Sequence, residues 1–175
     1  MRAKVLFITQ DSAYPQMGVL YLADALGKAD IDCEILSSGV SREALDTAIE
    51  HYRPDVVGMS VMTAPEVADF EHHSVHIKEK YPGIKVVWGG VHPTLLSSQC
   101  LLSNYIDYVF VGQGEEVFPE LVLDIANGGD RFPRKVSGHS PARLNDFAPA
   151  WDKVDVARYL FSERHSVRSP DVRIK

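Results

Sequence analysis

Two glycine-rich segments of this chain each follow a short apolar run. Gly89-Gly90 comes after Val86-Val87-Trp88, and Gly112-Gln113-Gly114-Glu115 comes after Val109-Phe110-Val111. Glycine lets a bulky group approach the backbone, and ligands of parallel α/β sheets bind at the carboxyl ends of the strands. The acid suits a helix N-terminus but disfavours a phosphate as its direct partner. The second segment therefore fits hydroxyl or amide donors better, such as a ribose or carboxamide side chains.

Small polar side chains mark the end of a third apolar run. Ser60 lies where a strand end would point into a ligand crevice, and Met62 and Thr63 follow it. Thr63 could equally be the N-cap of the next helix. Ser60 is therefore the stronger candidate for a ligand contact.

The loop after the first apolar run contains Tyr14, Pro15, Gln16, Met17 and Gly18. It matches neither the GxGxxG fingerprint of dinucleotide-binding domains nor a P-loop, because no Gly-Lys-Ser/Thr follows. An ordinary connection remains an alternative. The length of the loop and its Tyr and Met favour a ligand contact.

The histidines give weaker signals. His92 could be a metal ligand, a general base or a packing residue, and no second ligand at a suitable spacing supports a metal. His72 and His76 are four residues apart in a predicted helix, with His73 between them, but the HExxH glutamate is missing. For these three we expect a solvated helix face.

Composition excludes several classes of protein. The net charge is -6 and the pI is about 5.6, and no basic stripe stands out, which argues against a nucleic-acid surface. No apolar run approaches the ~18 residues of a membrane span. Cys33 and Cys100 lie far apart, and we expect reduced, half-buried thiols in a cytoplasmic protein.

Strand signals alternate with helix signals. Strands are predicted at residues 4–9, 33–37, 56–61, 85–88 and 108–111, and helices at residues 17–28, 42–52, 65–81, 94–103 and 115–127. Ser41 is a good N-cap for the second helix, and Pro65 suits the first turn of the third. The third strand is apolar nearly throughout, which is typical of parallel strands covered on both faces.

These elements predict an α/β fold: a doubly wound, five-stranded parallel sheet of Rossmann or flavodoxin-like type, in order 2-1-3-4-5. Residues 1–129 would form this domain. Residues 130–175 have four prolines, many charges and little periodicity. They predict an irregular C-terminal tail, either a linker to another domain or an arm wrapped on the first.

Several motifs in order resemble the cobalamin (vitamin B12)-binding domain at the N-terminus of cobalamin-dependent radical S-adenosylmethionine enzymes. They are residues 15–22 (PQMGVLYL), residues 53–60 (RPDVVGMS), Gly89-Gly90-Val91-His92-Pro93-Thr94 and Gly112-Gln113-Gly114-Glu115. Residues 149–159 also resemble the bridge from that domain into its catalytic barrel.

The resemblance implies that cobalamin lies across the carboxyl end of the sheet, with its nucleotide tail in a slot between the third-strand loop and the Gly89-Gly90 loop. Counting back from Gly18, Pro15 stands where related domains carry a cobalt-binding histidine, so base-off cobalamin without a histidine ligand is expected. Tyr14, Gln16 or Met17 would approach its lower face. The implied cofactor-binding residues are Tyr14, Pro15, Gln16, Gly18, Ser60, Met62, Thr63, Gly89, Gly90, Val91, His92, Pro93, Gly112, Gln113, Gly114 and Glu115.

The cluster motif of that family, CxxxCxxC, is absent, and the chain stops where the barrel would start. An iron–sulfur cluster and S-adenosylmethionine would therefore belong to a barrel that partners this chain in cis or in trans. The expected function is a cobalamin-binding module, a fragment of a parent enzyme that carries out methyl transfer or a related radical step. Alone, the chain is not expected to be an enzyme.

Three alternatives remain. The first is a degenerate cobalamin-domain fold that serves as a docking module without a cofactor. A signalling receiver domain would need an acid at the end of the third strand, where this chain has Ser60, and a Lys after the fifth, where it has Gly112-Gln113. A stand-alone nucleotide-binding enzyme is disfavoured, because no phosphate fingerprint is present.

Overall fold

The computed structural model describes residues 2–12, 14–62, 67–141 and 146–160. Its strands are β1 (Lys4–Thr9), β2 (Asp32–Ser37), β3 (Val56–Ser60), β4 (Lys85–Gly89), β5 (Tyr108–Val111) and β6 (Lys135–Ser137). Its helices are α1 (Met17–Lys28), α2 (Arg42–Tyr52), α3 (Val67–Lys80), α4 (Val91–Leu95), α5 (Ser97–Cys100), α6 (Val117–Ala126) and α7 (Val156–Leu160), with a 3₁₀ helix at Trp151–Lys153.

The six strands are all parallel and lie in the order β2-β1-β3-β4-β5-β6. The predicted fold class and the order 2-1-3-4-5 are confirmed, with β6 added beside β5. The order reverses direction between β1 and β3. At such a switch point two neighbouring connections leave the sheet on opposite faces, which opens a crevice at its carboxyl end.

Strand alternation divides the core between the two faces of the sheet. Val5 and Phe7 of β1 face α1 and α6, where Leu26 and Leu121 are completely buried. The intervening residues of β1 join the core on the opposite face, beneath α2 and α3. Both faces are therefore covered, as the continuous apolar strands predicted.

Helix bounds follow local signals closely. α1 and α2 begin and end at the predicted residues, and Ser41 Oγ accepts the N–H of Ala44 at 3.2 Å as an N-cap. Pro65 lies outside the described residues.

The single helix predicted at residues 94–103 is wrong: the structure has α4 and α5, with a break at Leu96. Because a proline is tolerated in the first turn of a helix, α4 begins two residues before Pro93.

The histidines of α3 do not form the expected solvated face. His73 is buried, and its Nε2 lies 2.8 Å from the carbonyl oxygen of Ser38. His76 lies between α3 and α2, with its Nε2 2.8 Å from Asp46 Oδ1. Both rings thus help to join α3 to its neighbours, and His72 alone is exposed. Within the described ranges, no group of three or more His, Cys, Asp or Glu side chains could hold a metal ion.

The segment after residue 129 contributes to the sheet. β6 pairs with β5 through Val109, Phe110 and Val111, and Val136 is buried. The sequence did not predict this strand, because only one residue in three is apolar and buried. A domain boundary at residue 129 remains a prediction.

The structure also bears on the two cysteines and on the question of a membrane-spanning helix. Cys33 and Cys100 are free thiols, and both are buried rather than half-buried. Burial raises the pKa of Cys33 to about 11. In the described part of the chain, no helix has the length and apolar character needed to cross a bilayer.

Candidate functional site

A cleft of about 440 Å³ opens at the carboxyl end of the sheet, on the face covered by α1 and α6. This volume lies within the range of roughly 300–1,000 Å³ that is usual for small-molecule sites. Its lining comes from α1, from the ends of β3, β4 and β5, and from the segment after β6: Met17, Gly18, Val19, Tyr21, Leu22, Ser60, Gly90, Gly112, Gln113, Gly114, Glu115, Pro141 and Phe147.

The cleft brings together seven of the residues predicted from the sequence: Gly18, Ser60, Gly90, Gly112, Gln113, Gly114 and Glu115. Seven others do not line it: Tyr14, Pro15, Gln16, Met62, Val91, His92 and Pro93. Gly89 lines a smaller space beside it, and Thr63 lies outside the described residues. Whether any of these residues bind a cofactor remains a prediction.

Sequence reasoning missed part of the wall. Tyr21 and Leu22 lie three and four residues after Gly18, so one helical face carries all three into the cleft. Helical periodicity could have identified them. Pro141 and Phe147 come from a segment with no periodic pattern, and nothing local in the sequence indicated them.

A second, smaller space of about 50 Å³, which we call the inner slot, lies between the sheet and α6. Val19, Ser60 and Gly90 line both the slot and the cleft, so the two spaces adjoin. Gly58 and Gly89 contribute no side chain to the slot's strand side, and the Phe7 ring packs over Gly58. The inner slot lies beside Ser60 at the end of β3 and beside Gly89 and Gly90, and its role as the slot for a nucleotide tail remains a prediction.

Three phenylalanine rings surround the inner slot. The ring of Phe118 lies 5.8 Å, centroid to centroid, from the rings of both Phe7 and Phe110. For comparison, an apolar cavity that holds benzene measures roughly 150 Å³. The rings must therefore move before a planar aromatic base can enter the slot.

Two of the glycines at the strand ends, Gly90 and Gly112, are required by the protein's own backbone. Gly90 has φ 96° and ψ -162°, and a Cβ there would lie 2.9 Å from the carbonyl oxygen of Val61. Gly112 has φ 86°, and its Cβ would lie 2.8 Å from the carbonyl oxygen of Gly138. By contrast, the nearest atom to a Cβ on Gly89 is Phe110 Cβ, at 3.8 Å. A Cβ on Gly89 would thus make only an ordinary van der Waals contact, whereas a Cβ on Gly90 would clash with the backbone.

Hydrogen bonds join the loops that frame the cleft. The His92 N–H donates to the carbonyl oxygen of Val61 at 3.0 Å, and the Val61 N–H donates to that of Gly89 at 2.8 Å. The His92 ring packs edge-on against Trp88, with centroids 6.3 Å apart, and Trp88 belongs to the core on the other face of the sheet. His92 therefore acts as a packing residue in this structure.

Glu115 is the one acidic or basic residue among the described residues that line the cleft. Its Oε2 atom is buried and has no hydrogen-bond partner in the described part of the chain. An unpaired buried acceptor costs about 1–3 kcal/mol, and more when it carries a charge. Glu115 is therefore suited to receive a hydrogen bond from a ligand.

Lys28, at the end of α1, holds a segment that we call the C-terminal arm, residues 146–151. Its Nζ donates to Asp24 Oδ2 at 2.6 Å and also to the carbonyl oxygen of Asp146. The same ammonium lies 4.9 Å from the centroid of the Phe147 ring, a cation–π geometry. These contacts place Phe147 in the wall of the cleft.

Backbone groups of the C-terminal arm complete this attachment. The Ala148 N–H donates to Asp24 Oδ2 at 3.0 Å, and the Ala150 N–H donates to the carbonyl oxygen of Leu20 at 3.1 Å. Burial would raise the pKa of Asp24, but hydrogen bonds from Lys28 and Ala148 lower it below its usual range. Asp24 is thus ionised at neutral pH and joins α1 to the C-terminal arm.

Comparison with known proteins identifies the family of this chain. A family model described as the B12 binding domain matches residues 3–122. The anaerobic magnesium-protoporphyrin IX monomethyl ester cyclase of Rubrivivax gelatinosus is 32% identical over 120 residues, which are 66% of this chain and 21% of the cyclase. The cytidylyl-2-hydroxyethylphosphonate methyltransferase of Streptomyces wedmorensis is 31% identical over 90 residues, 51% of this chain and 17% of that enzyme. The chain spans about a fifth of the length of these two relatives.

Two solved structures share the fold. A cobalamin-binding protein from Desulfitobacterium hafniense DCB-2 superposes with a TM-score of 0.57 at 14% identity, over 71% of this chain and 59% of its own. The receiver domain of the Escherichia coli stress response regulator RcsB gives a TM-score of 0.51 at 14% identity, over 79% of this chain and 100% of its own. At such identities the likeness concerns the fold alone.

Proposed function

Because the chain belongs to the B12-binding domain family, we propose that its cleft binds cobalamin across the carboxyl end of the sheet. The observation that carries this proposal is the continuity of the cleft with the inner slot at Ser60 and Gly90. A wide outer space and a narrow inner one suit a macrocycle with a planar base attached. The nucleotide tail would enter the slot, and the corrin ring would lie above the strand ends.

The residues present fit this cofactor in chemistry. A corrin ring carries primary amide side chains, whose N–H groups could donate to the unpaired Oε2 of Glu115. The strand side of the slot carries no side chain at Gly58 and Gly89. The Phe7 ring packs over Gly58, so a flat ring would reach the sheet face there only after Phe7 moves. Tail entry requires the surrounding phenylalanine rings to rotate.

The lower face of the corrin would be held without a histidine. Pro15 has no side-chain donor or acceptor and occupies the position of the cobalt ligand in related domains. Tyr14, with 68% of its surface exposed, and Met17, with 41%, lie near it in sequence, and we infer that they contact the ring. We infer that the base-off cofactor is held by contacts with its periphery.

When bound, cobalamin would supply a cobalt centre able to carry a methyl group or to assist a radical step. The chain's own part is to hold and orient the ring, and to shield one edge of it from water with Tyr21, Leu22 and Phe147. Because the matched region is about a fifth of each curated relative, the catalytic partner is also a proposal. We infer a radical S-adenosylmethionine barrel, in cis or in trans, that holds the iron–sulfur cluster. A cytoplasmic location likewise remains a prediction.

One observation favours the second candidate, a docking module without a cofactor. The inner slot, at about 50 Å³, is narrower than a planar base needs. A receiver function lacks its phosphate-accepting acid, since Ser60 ends β3.

The test is binding to hydroxocobalamin. The chain is mixed with a twofold excess under air and under anaerobic conditions, separated by gel filtration, and its visible spectrum is recorded. A stoichiometric corrin spectrum that travels with the protein is expected. A colourless protein under both conditions contradicts cobalamin binding and supports the docking module.

A further inference from the structure

We propose that Glu115 makes the cleft selective for corrinoids whose side chains end in primary amides, over corrinoids that carry free carboxylates. This inference rests on the proposed function and names the ligand class of the same site. A site that binds cobalamin need not distinguish amide from carboxylate side chains, because the corrin ring has the same shape with either kind.

The Glu115 carboxylate has an unused hydrogen-bond acceptor. Glu115 lines the cleft, and its Oε2 is buried and accepts no hydrogen bond from any described residue. An ionised carboxylate has no hydrogen to donate, so it can accept hydrogen bonds but cannot donate them. A primary amide supplies the N–H that this oxygen lacks, whereas a ligand carboxylate supplies none and adds a like charge.

The described wall of the cleft contains no lysine or arginine side chain. The other side chains that line the cleft are apolar, or carry only a hydroxyl or an amide, as in Ser60, Tyr21 and Gln113. Lys28 is nearby, but its ammonium already contacts Asp24, the carbonyl oxygen of Asp146 and the Phe147 ring. A ligand carboxylate would meet Glu115 without a described lysine or arginine in the wall to offset the repulsion.

The neighbouring acid offers a matched control. Glu116 does not line the cleft, and its carboxylate lies 3.2 Å from Nδ1 of His139. Its side chain is 37% exposed. Neutralising Glu116 changes the net charge as neutralising Glu115 does, but leaves the cleft wall unchanged.

The experiment compares two probes that differ in these groups: cobinamide, whose corrin side chains end in amides, and cobyrinic acid, whose side chains end in carboxylates. Absorbance titrations at pH 7.5 give the dissociation constants for the wild type, Glu115→Gln and Glu116→Gln. Wild type should prefer cobinamide by about a hundredfold. Glu115→Gln should reduce this preference at least tenfold, because glutamine can donate to a carboxylate, and Glu116→Gln should leave it within a factor of two.

The outcomes separate this inference from the proposed function. Wild type that binds no hydroxocobalamin overturns both. Wild type that binds hydroxocobalamin but not cobinamide, or that keeps the same preference after Glu115→Gln, overturns only the role of Glu115. Circular dichroism confirms that each variant is folded before the titrations are compared.

Discussion

The backbone of Gly90 lies so close to Val61 that a Cβ on Gly90 would be 2.9 Å from the Val61 carbonyl oxygen. The neighbouring Gly89 has no such contact, since its Cβ would meet nothing closer than 3.8 Å. Two adjacent glycines therefore have different roles. Gly90 allows the β4–α4 turn to pack on the end of β3, and Gly89 leaves space in the slot.

The first prediction concerns stability. Gly90 has φ 96° and ψ -162°, a region that only glycine occupies readily, so Gly90→Ala should lower the free energy of unfolding by about 3 kcal/mol. Gly89→Ala, which meets no close atom, should change it by less than about 1 kcal/mol. Urea unfolding followed by circular dichroism measures both. Equal losses in the two variants would show that the contact with Val61 is not what requires Gly90.

The second prediction concerns the slot. Gly89→Leu should fill the inner space and weaken cobalamin binding more than tenfold, at a cost of about 1–3 kcal/mol in the free energy of unfolding. Gly83→Leu is the matched control, because Gly83 precedes β4 at the other end of the strand and has open space around it. Isothermal titration with hydroxocobalamin reports the affinities. Undiminished binding by Gly89→Leu would place the nucleotide tail elsewhere.

The third prediction concerns the C-terminal arm. Phe147→Ala removes an apolar wall of the cleft and should raise the dissociation constant for hydroxocobalamin about fivefold, the equivalent of ~1 kcal/mol. Trp151→Ala is the control, because Trp151 belongs to the same arm but does not line the cleft.

The fourth prediction concerns the attachment of the C-terminal arm. Lys28→Met keeps the apolar stem and removes the charge that contacts Asp24, Asp146 and Phe147. Hydrogen exchange of the Ala148 and Ala150 amides should become faster in this variant, while exchange in the β1 amides stays unchanged. Identical exchange in the variant and the wild type would mean that Lys28 does not hold the C-terminal arm.

The fifth prediction concerns acid stability. Burial alone would raise the pKa of Asp46, but hydrogen bonds from Lys80, His76 and Tyr81 outweigh it and lower the pKa to about 2. A lowered pKa in the folded state stabilises the fold above the ordinary pKa of 3.8, and this contribution is lost as the pH falls toward 2. Asp46→Asn should therefore cost about 1 kcal/mol at pH 7, allowing for solvent screening, and almost nothing at pH 2. A cost that does not vary with pH would contradict the role of the charge.

The sequence predicted the elements whose signals are local. α1 and α2 have the expected bounds, because amphipathic periodicity and the Ser41 cap are written in neighbouring residues. β6 was missed, since a strand of three residues with Val136 alone buried leaves no pattern. Its place in the sheet is decided by pairing with β5, a contact between distant parts of the chain.

The same distinction applies to the cleft. Glycines, Ser60 and Glu115 could be predicted, because each follows a strand and the carboxyl ends of parallel strands meet at one edge. Phe147 could not, because its position depends on Lys28, far from it in sequence. Which backbone group lies against Gly90 also depends on tertiary packing. The sequence therefore indicated that something comes close to Gly90, but it did not identify Val61 as that partner.

β6 has a consequence for how the cleft opens. The Gly138 N–H donates to the carbonyl oxygen of Val111 at 2.8 Å, and the Gly138 carbonyl oxygen covers Gly112. A three-residue edge strand is the part of a sheet that frays most readily. When β6 separates from β5, the loop that carries Glu115 loses its cover. We therefore expect fraying of β6 to set the rate of ligand exchange, while the central strands stay paired throughout.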